Sequence, residues 1–302
     1  MKNSKFLHGT GVAIITPFND DLSIDYTSLE KNIENLIENN IGYIVLLGST
    51  GEASSIYINE QDEMIKFSSQ VINSRVPLIV GCTNNSTTHA VERVKEISKF
   101  DIDGILSAAP YYNKPSQEGI YEHYYAIAHA TELPVILYNV PGRTASNITP
   151  ETCIMLAEDV ENIVAVKEAS GNICQVMEII SKKDHLDGFL VISGEDSLNV
   201  PLISIGAAGT ISVIANAFPH QVSEMVRHAL ENDFQHASSI HYDLLNVTNY
   251  IFKEGNPAGI KALLSYQDMC NNVLRLPLMC VSQLLYELLA NECDKISDKY
   301  ED

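Results

Sequence analysis

A lysine closes an apolar stretch midway along the chain. Ile163-Val-Ala-Val-Lys167 reads as a strand, and alternation along it puts Lys167 on the face of Ala165 and Ile163. If that face looks into a barrel, the ammonium is desolvated and its pKa falls. A neutral amine at a barrel mouth is what Schiff-base chemistry on a carbonyl requires. The competing reading is a lysine that reaches the rim or pairs with Glu168.

Three further segments carry reactive residue types at strand ends. Gly48-Ser49-Thr50-Gly51-Glu52 sets two hydroxyls between glycines, and the N–H groups and hydroxyls of such a turn can cradle a carboxylate. It lacks the length and the lysine of a nucleotide-binding P-loop. In Leu137-Tyr138-Asn-Val-Pro-Gly-Arg143-Thr, Tyr138 ends a strand where a phenol could move a proton. Arg143, one of five arginines, lies on the following loop and could grip a carboxylate through two bonds. The plainer readings are a core tyrosine and a surface ion pair. Tyr111 and Tyr112, set between Pro110 and Pro115, fit an interface better than chemistry. None of the nine histidines groups with carboxylates at a strand end, so no metal is expected. His123 and His129 fall on a helix, as packing or surface residues.

These segments need a scaffold that gathers strand ends. Short β-branched runs recur at Val12–Thr16, Tyr43–Leu47, Leu78–Val80, Gly104–Ser107, Val135–Tyr138, Ile163–Lys167, Phe189–Ser193 and Gly209–Val213. Their spacing is that of βα units, and their apolarity suits strands covered on both faces. Leu29–Glu38, Ser86–Phe100, Gln117–Ala130 and Pro150–Ala157 carry helical periodicity, the last with Thr149 as N-cap and Pro150 at the first position. Eight such pairs predict an α/β fold, a (β/α)8 TIM barrel, over residues 1–225. An open doubly wound sheet is the alternative. Beyond the barrel, Val226–Phe252, Ala258–Met269 and Leu278–Leu289 predict a C-terminal three-helix extension over 226–302, docked rather than tethered, with a charged tail from Asn291 that frays.

Composition removes other classes. The 302 residues include 39 Asp+Glu against 19 Lys+Arg, a net charge of −20, which disfavours nucleic acid and anionic membranes. The uncharged run Pro201–Phe218 contains enough Ser, Gly, Thr and Asn to be a buried helix and strand rather than a membrane span. The N-terminus lacks the apolar core of a signal peptide, and the six cysteines show no C-x-x-C spacing. Reduced thiols in a cytoplasmic protein are expected.

The motifs occur together and in order: Gly11-Val-Ala-Ile-Ile-Thr-Pro-Phe18, G-S-T-G-E, A-P-Y-Y-N-K-P, Y-N-V-P-G-R-T, V-K-E-A-S-G, S-G-E-D at Ser193–Asp196 and G-T-I-S-V at Gly209–Val213. On these the chain resembles the dihydrodipicolinate synthase family, in the pyruvate-dependent class I aldolase superfamily that also holds N-acetylneuraminate lyase. The resemblance implies condensation of pyruvate with L-aspartate 4-semialdehyde in lysine (diaminopimelate) biosynthesis, without a cofactor. It implies that Lys167 forms the Schiff base and that Tyr138 relays protons with Ser49 and with Tyr112 of a neighbouring subunit. Thr50 would bind the pyruvate carboxylate and Arg143 that of the semialdehyde, while Gly194 and Ile211 line the pocket with backbone groups. A homotetramer, a dimer of dimers, is implied too.

Two positions bear on the choice within the superfamily. Ser49 stands where the family usually has threonine and its lyase relatives often have serine, whereas Arg143 in P-G-R-T fits the synthase branch. Glu195 and Asp196 after Gly194 would repel a phosphorylated substrate. The rival readings are another pyruvate-dependent aldolase and a silent 2-oxo-acid-binding protein. At the allosteric lysine site of inhibited members, Ser54, Asn85 and Tyr111 fit. Ile58 and Gln61 replace two histidines there, and His89 replaces an acid, so weak or absent lysine inhibition is expected.

Overall fold

The apolar runs form the eight strands of a closed, all-parallel barrel in sequence order, as seen in a computed structural model that describes residues 4–300. The strands are β1 (Gly9–Ala13), β2 (Tyr43–Leu46), β3 (Leu78–Gly81), β4 (Gly104–Ala108), β5 (Val135–Asn139), β6 (Ile163–Glu168), β7 (Leu190–Ser193) and β8 (Gly209–Ser212). Alternation divides each into two faces. Tyr43, Val45, Ile79, Leu106, Ile136, Ile192 and Ile211 fill the barrel interior, while Ile44, Leu46, Val80, Ile105, Leu137 and Val191 pack outward against the helices. Each such side chain removed from water contributes about 1.5–3 kcal/mol.

The first strand begins at Gly9, three residues before the β-branched run that signalled it. Gly11 is the reason the signal was weak. A Cβ there would stand 2.2 Å from the Tyr43 ring, which plugs the barrel floor. In β6 the expected alternation fails at one point. Val135 of β5 faces Ile163 but Ile136 faces Ala165, a bulge that skips Val164. Ile163 therefore packs outward and Val164 joins Ala165 in the interior, so Lys167 shares its face with Ala165 but not with Ile163.

The helical extension differs in detail from the expectation. Val226–Phe252 is two helices, Pro219–Leu230 and Phe234–Lys253, and residues 225 and 226 both lie inside the first. The break sits at Asn232, in the left-handed region at φ 64°, followed by Asp233, whose carboxylate accepts the His236 N–H as an N-cap. Helix Ala258–Tyr266 follows, then helix Gln283–Tyr300. The charged tail from Asn291 is helical through Tyr300, because Cys293 and Ile296 continue the buried stripe of Leu285 and Leu289. Thr149 caps Pro150–Asp159 as expected, accepting from Thr152 N.

Pro201–Phe218 is the buried helix end and strand β8, and no helix among the described residues is long and apolar enough to cross a membrane. All six cysteines are unpaired. His123 is buried with its Nδ1 at 2.9 Å from Thr87 Oγ1, and burial pushes its pKa down to about 4. His129 stacks on Tyr125. Both are packing or surface residues.

Candidate active site

Parallel pairing sets the two central groups side by side. Tyr138 of β5 is in register with Lys167 of β6, and both point into the barrel mouth. Lys167 is 5% exposed, with Nζ 4.5 Å from the centroid of the Tyr138 ring. Glu168, one residue on, is turned to the outer face and is not the partner of Lys167. Its carboxylate accepts from Ser170 N at 2.7 Å, Asn139 Nδ2 at 2.9 Å and Gln175 Nε2 at 3.0 Å. The amine thus stands over an aromatic face, free of the carboxylate beside it in sequence.

Gly194 follows β7 and lies under the lysine stem. A Cβ at this position would meet Lys167 Cε at 2.9 Å and Ala169 Cβ at 2.8 Å, so the absence of a side chain lets Lys167 take its course. The Gly194 N–H is bonded to Glu168 O at 2.8 Å. Ile211 of β8 is buried in the same inner cluster as Tyr138. Asp196 is not a substrate-facing charge. Its Oδ2 accepts from Val213 N and Ile214 N and its Oδ1 from Asn199 Nδ2, which fixes the turn after β8.

The Gly48–Glu52 turn lies between two non-glycine residues at positive φ, Leu47 at 56° and Glu52 at 54°, a strained geometry of the kind held at functional sites. Gly51 N and Glu52 N close the turn on Gly48 O and Ser49 O, and Thr16 Oγ1 clamps Gly51 O at 2.6 Å. Thr50 is buried and Ser49 is exposed. Arg143 sits on a single helical turn, Pro141–Thr144, rather than in an irregular loop, and the residue is exposed. Among the described residues no hydrogen bond joins Ser49, Tyr138 and Tyr112. Tyr112 is 87% exposed at φ 71°. A bulky side chain in the left-handed region that faces solvent is a conformation without local benefit.

Residues from the C-terminal segment complete this end of the barrel, and the motif reading missed them. Asn256 Nδ2 donates to Thr50 Oγ1 at 3.0 Å, and Asn256 O accepts from Arg143 Nη2 at 3.3 Å. Lys261 and Glu52, both with fully buried side chains, form an ion pair, and Glu52 Oε2 also accepts from Arg275 N at 3.2 Å. Lys261 Nζ lies 4.1 Å from the Phe18 ring centroid and the Arg275 guanidinium 4.6 Å from it. A signal was available: Ala-Gly-Ile-Lys261-Ala-Leu-Leu is an apolar helix with one charge, as Ile163–Lys167 is an apolar strand with one.

At the positions matched to the lysine site of inhibited family members, Gln61 Nε2 is tied to Ala53 O and Ile56 O, and its Oε1 accepts from Arg93 Nη2 at 3.2 Å. Ile58 and His89 are exposed. His228, Asp233 and His236 gather on the outer helical hairpin, away from the strand ends, with both imidazoles bonded to the capping carboxylate of Asp233.

Comparison with known proteins gives one answer. The profile of the dihydrodipicolinate synthetase family matches residues 6–294. A curated relative from Phocaeicola vulgatus, named 4-hydroxy-tetrahydrodipicolinate synthase, is 47% identical over 273 residues, covering 90% of this chain and 91% of its own. A dihydrodipicolinate synthase structure from Thermotoga maritima superposes with a TM-score of 0.94 at 35% identity, covering 95% of this chain and 98% of that one. A structure described as the first monomeric dihydrodipicolinate synthase variant matches with a TM-score of 0.94 at 35% identity, over 97% and 98% of the two chains.

Proposed function

The chain belongs to the dihydrodipicolinate synthetase family, and we propose that its barrel mouth condenses pyruvate with L-aspartate 4-semialdehyde through a Schiff base on Lys167. The overall reaction is that of the curated relatives, 4-hydroxy-tetrahydrodipicolinate synthesis in the lysine route. The observation that carries the assignment is the buried Lys167 amine over the Tyr138 ring, with no carboxylate bonded to it.

The unprotonated amine attacks C2 of pyruvate. The carbinolamine loses water as the imine forms, and loss of a methyl proton gives the enamine. The enamine carbon bonds to the aldehyde carbon of the semialdehyde, whose oxygen becomes the ring hydroxyl. The semialdehyde amine then attacks C2, the C2–Nζ bond breaks, and a six-membered ring leaves with Lys167 regenerated. Tyr138 moves the protons between these atoms, relayed by Ser49 and by Tyr112 of a second subunit. The exposed left-handed Tyr112 supports that assignment, which requires at least a dimer, and the family resemblance extends it to a homotetramer built as a dimer of dimers.

Thr50 and the turn around it take the pyruvate carboxylate, and Arg143 takes that of the semialdehyde. Backbone groups of Gly194 and Ile211 line the pocket. The barrel supplies the reacting groups, and the segment after helix Phe234–Lys253 braces Thr50 and Arg143 through Asn256. Six unpaired thiols support a reducing compartment, the cytoplasm.

A coupled assay with both substrates tests the reading, together with Arg143→Ala. The variant should raise KM for the semialdehyde by roughly 100-fold and leave KM for pyruvate within a few-fold, since a charge-assisted contact to one substrate is lost. Equal effects on both substrates, or turnover of a sugar acid in place of the semialdehyde, would refute it.

L-lysine should leave initial rates unchanged at sub-millimolar concentration. Its ammonium would meet Ile58, His89 and the Arg93-tethered Gln61 with no acid at position 89. Half-inhibition at sub-millimolar lysine in a titration of rates would contradict this.

A further inference from the structure

We propose that Asn256 is a positioning residue that fixes the direction in which Thr50 donates its proton and ties the two carboxylate-binding residues together. The inference rests on the roles of Thr50 and Arg143 given above. Its starting point is an asymmetry in one side chain. Asn256 is buried, with an exposure of 7%. Its Nδ2 donates to Thr50 Oγ1 at 3.0 Å, while its Oδ1 has no partner among the described residues. Most buried side-chain polar atoms find a partner, and Asn199 shares the unpartnered Oδ1 while its Nδ2 serves the turn at Asp196, so what sets Asn256 apart is the group its donor end holds. Asn256 commits that end to a residue of the substrate cradle.

A threonine hydroxyl has one proton and can point it in several directions. When Nδ2–H occupies a lone pair of Oγ1, the hydroxyl proton cannot turn back toward Asn256 and stays available to a carboxylate in the mouth. The same residue's main-chain oxygen accepts from Arg143 Nη2 at 3.3 Å. One residue of the segment after helix Phe234–Lys253 therefore touches both carboxylate holders, the first by side chain and the second by backbone. Substitution separates the two contacts, because the backbone oxygen survives it.

Asn256→Asp places an acceptor where the donor was. The Thr50 proton then turns to the introduced carboxylate, and a negative charge stands beside the carboxylate of pyruvate. KM for pyruvate should rise by roughly 100-fold, with kcat at saturating pyruvate within a few-fold of wild type. Asn256→Ala removes the contact without reversing it, and KM for pyruvate should rise about 10-fold. In both variants KM for the semialdehyde should change little.

A merely structural asparagine would lower kcat and thermal stability together without this order of KM values. Thr50→Ala serves as the reference. If it leaves KM for pyruvate unchanged, the reading of the cradle fails, and the inference with it. If Thr50→Ala raises KM but Asn256→Ala does not, the inference alone is overturned. Asn256→Asp no worse than Asn256→Ala overturns the claim about proton direction. Should Asn256→Asp fail to fold, Asn256→Ala decides between a positioning role and none.

Discussion

Lys167→Ala should lower kcat by about 10³-fold or more, with the fold retained. Removing the nucleophile from a set of groups that act as a unit costs orders of magnitude, because the remaining groups have no covalent intermediate to act on. The fold should persist because Lys167 has no ion-pair partner to strand, and its neighbours Tyr138, Ala165 and Ile192 are packed by the strands on either side. Borohydride reduction in the presence of pyruvate should add mass to the peptide containing Lys167 in the wild type and leave the variant unmodified. Lys167→Arg should be equally inactive, since a guanidinium keeps the charge but forms no imine. An adduct persisting in Lys167→Ala, or activity within tenfold of wild type, would end the Schiff-base assignment.

The second large effect concerns stability. Lys261→Met should cost about 3–5 kcal/mol, because it leaves the buried carboxylate of Glu52 without its counter-charge. Burial lowers the Lys261 pKa below the ordinary lysine range, while Glu52 pulls it back up. The pair is thus held against a desolvation penalty, and removing one member exposes the whole penalty on the other. A thermal melt should fall by roughly 10 °C for a chain of this size. The double variant Lys261→Met, Glu52→Gln should recover most of the loss, which a melt of the four combinations would measure. Equal destabilisation in the single and double variants would mean that packing around Phe18, rather than charge, sets the cost.

The barrel was legible in the sequence because parallel strands buried on both faces are short apolar runs, and eight of them recur at βα spacing. Lys167, Tyr138 and Arg143 stood out because each breaks, ends or follows such a run. Three features were hidden for physical reasons. The bulge at Val164 leaves no mark in the run Ile163–Val166, whose residues are apolar on either face. The break at Asn232–Asp233 was lost among helix-compatible residues, although Asn and Asp are common at helix ends. Asn256 and Lys261 reach the site only through tertiary packing, from more than 200 residues away, a distance over which no periodicity in the chain can speak.

That distance also has a consequence for how the protein is made. Glu52 and Thr50 leave the ribosome early, but the residues that neutralise one and orient the other, Lys261 and Asn256, follow more than two hundred codons later. At translation rates of about 5–20 residues per second, a nascent chain carries an unpaired acid in its second βα unit for roughly 10 s or longer. The enzyme therefore cannot switch on piecemeal during synthesis. Competence arrives in one step, when the last helices dock.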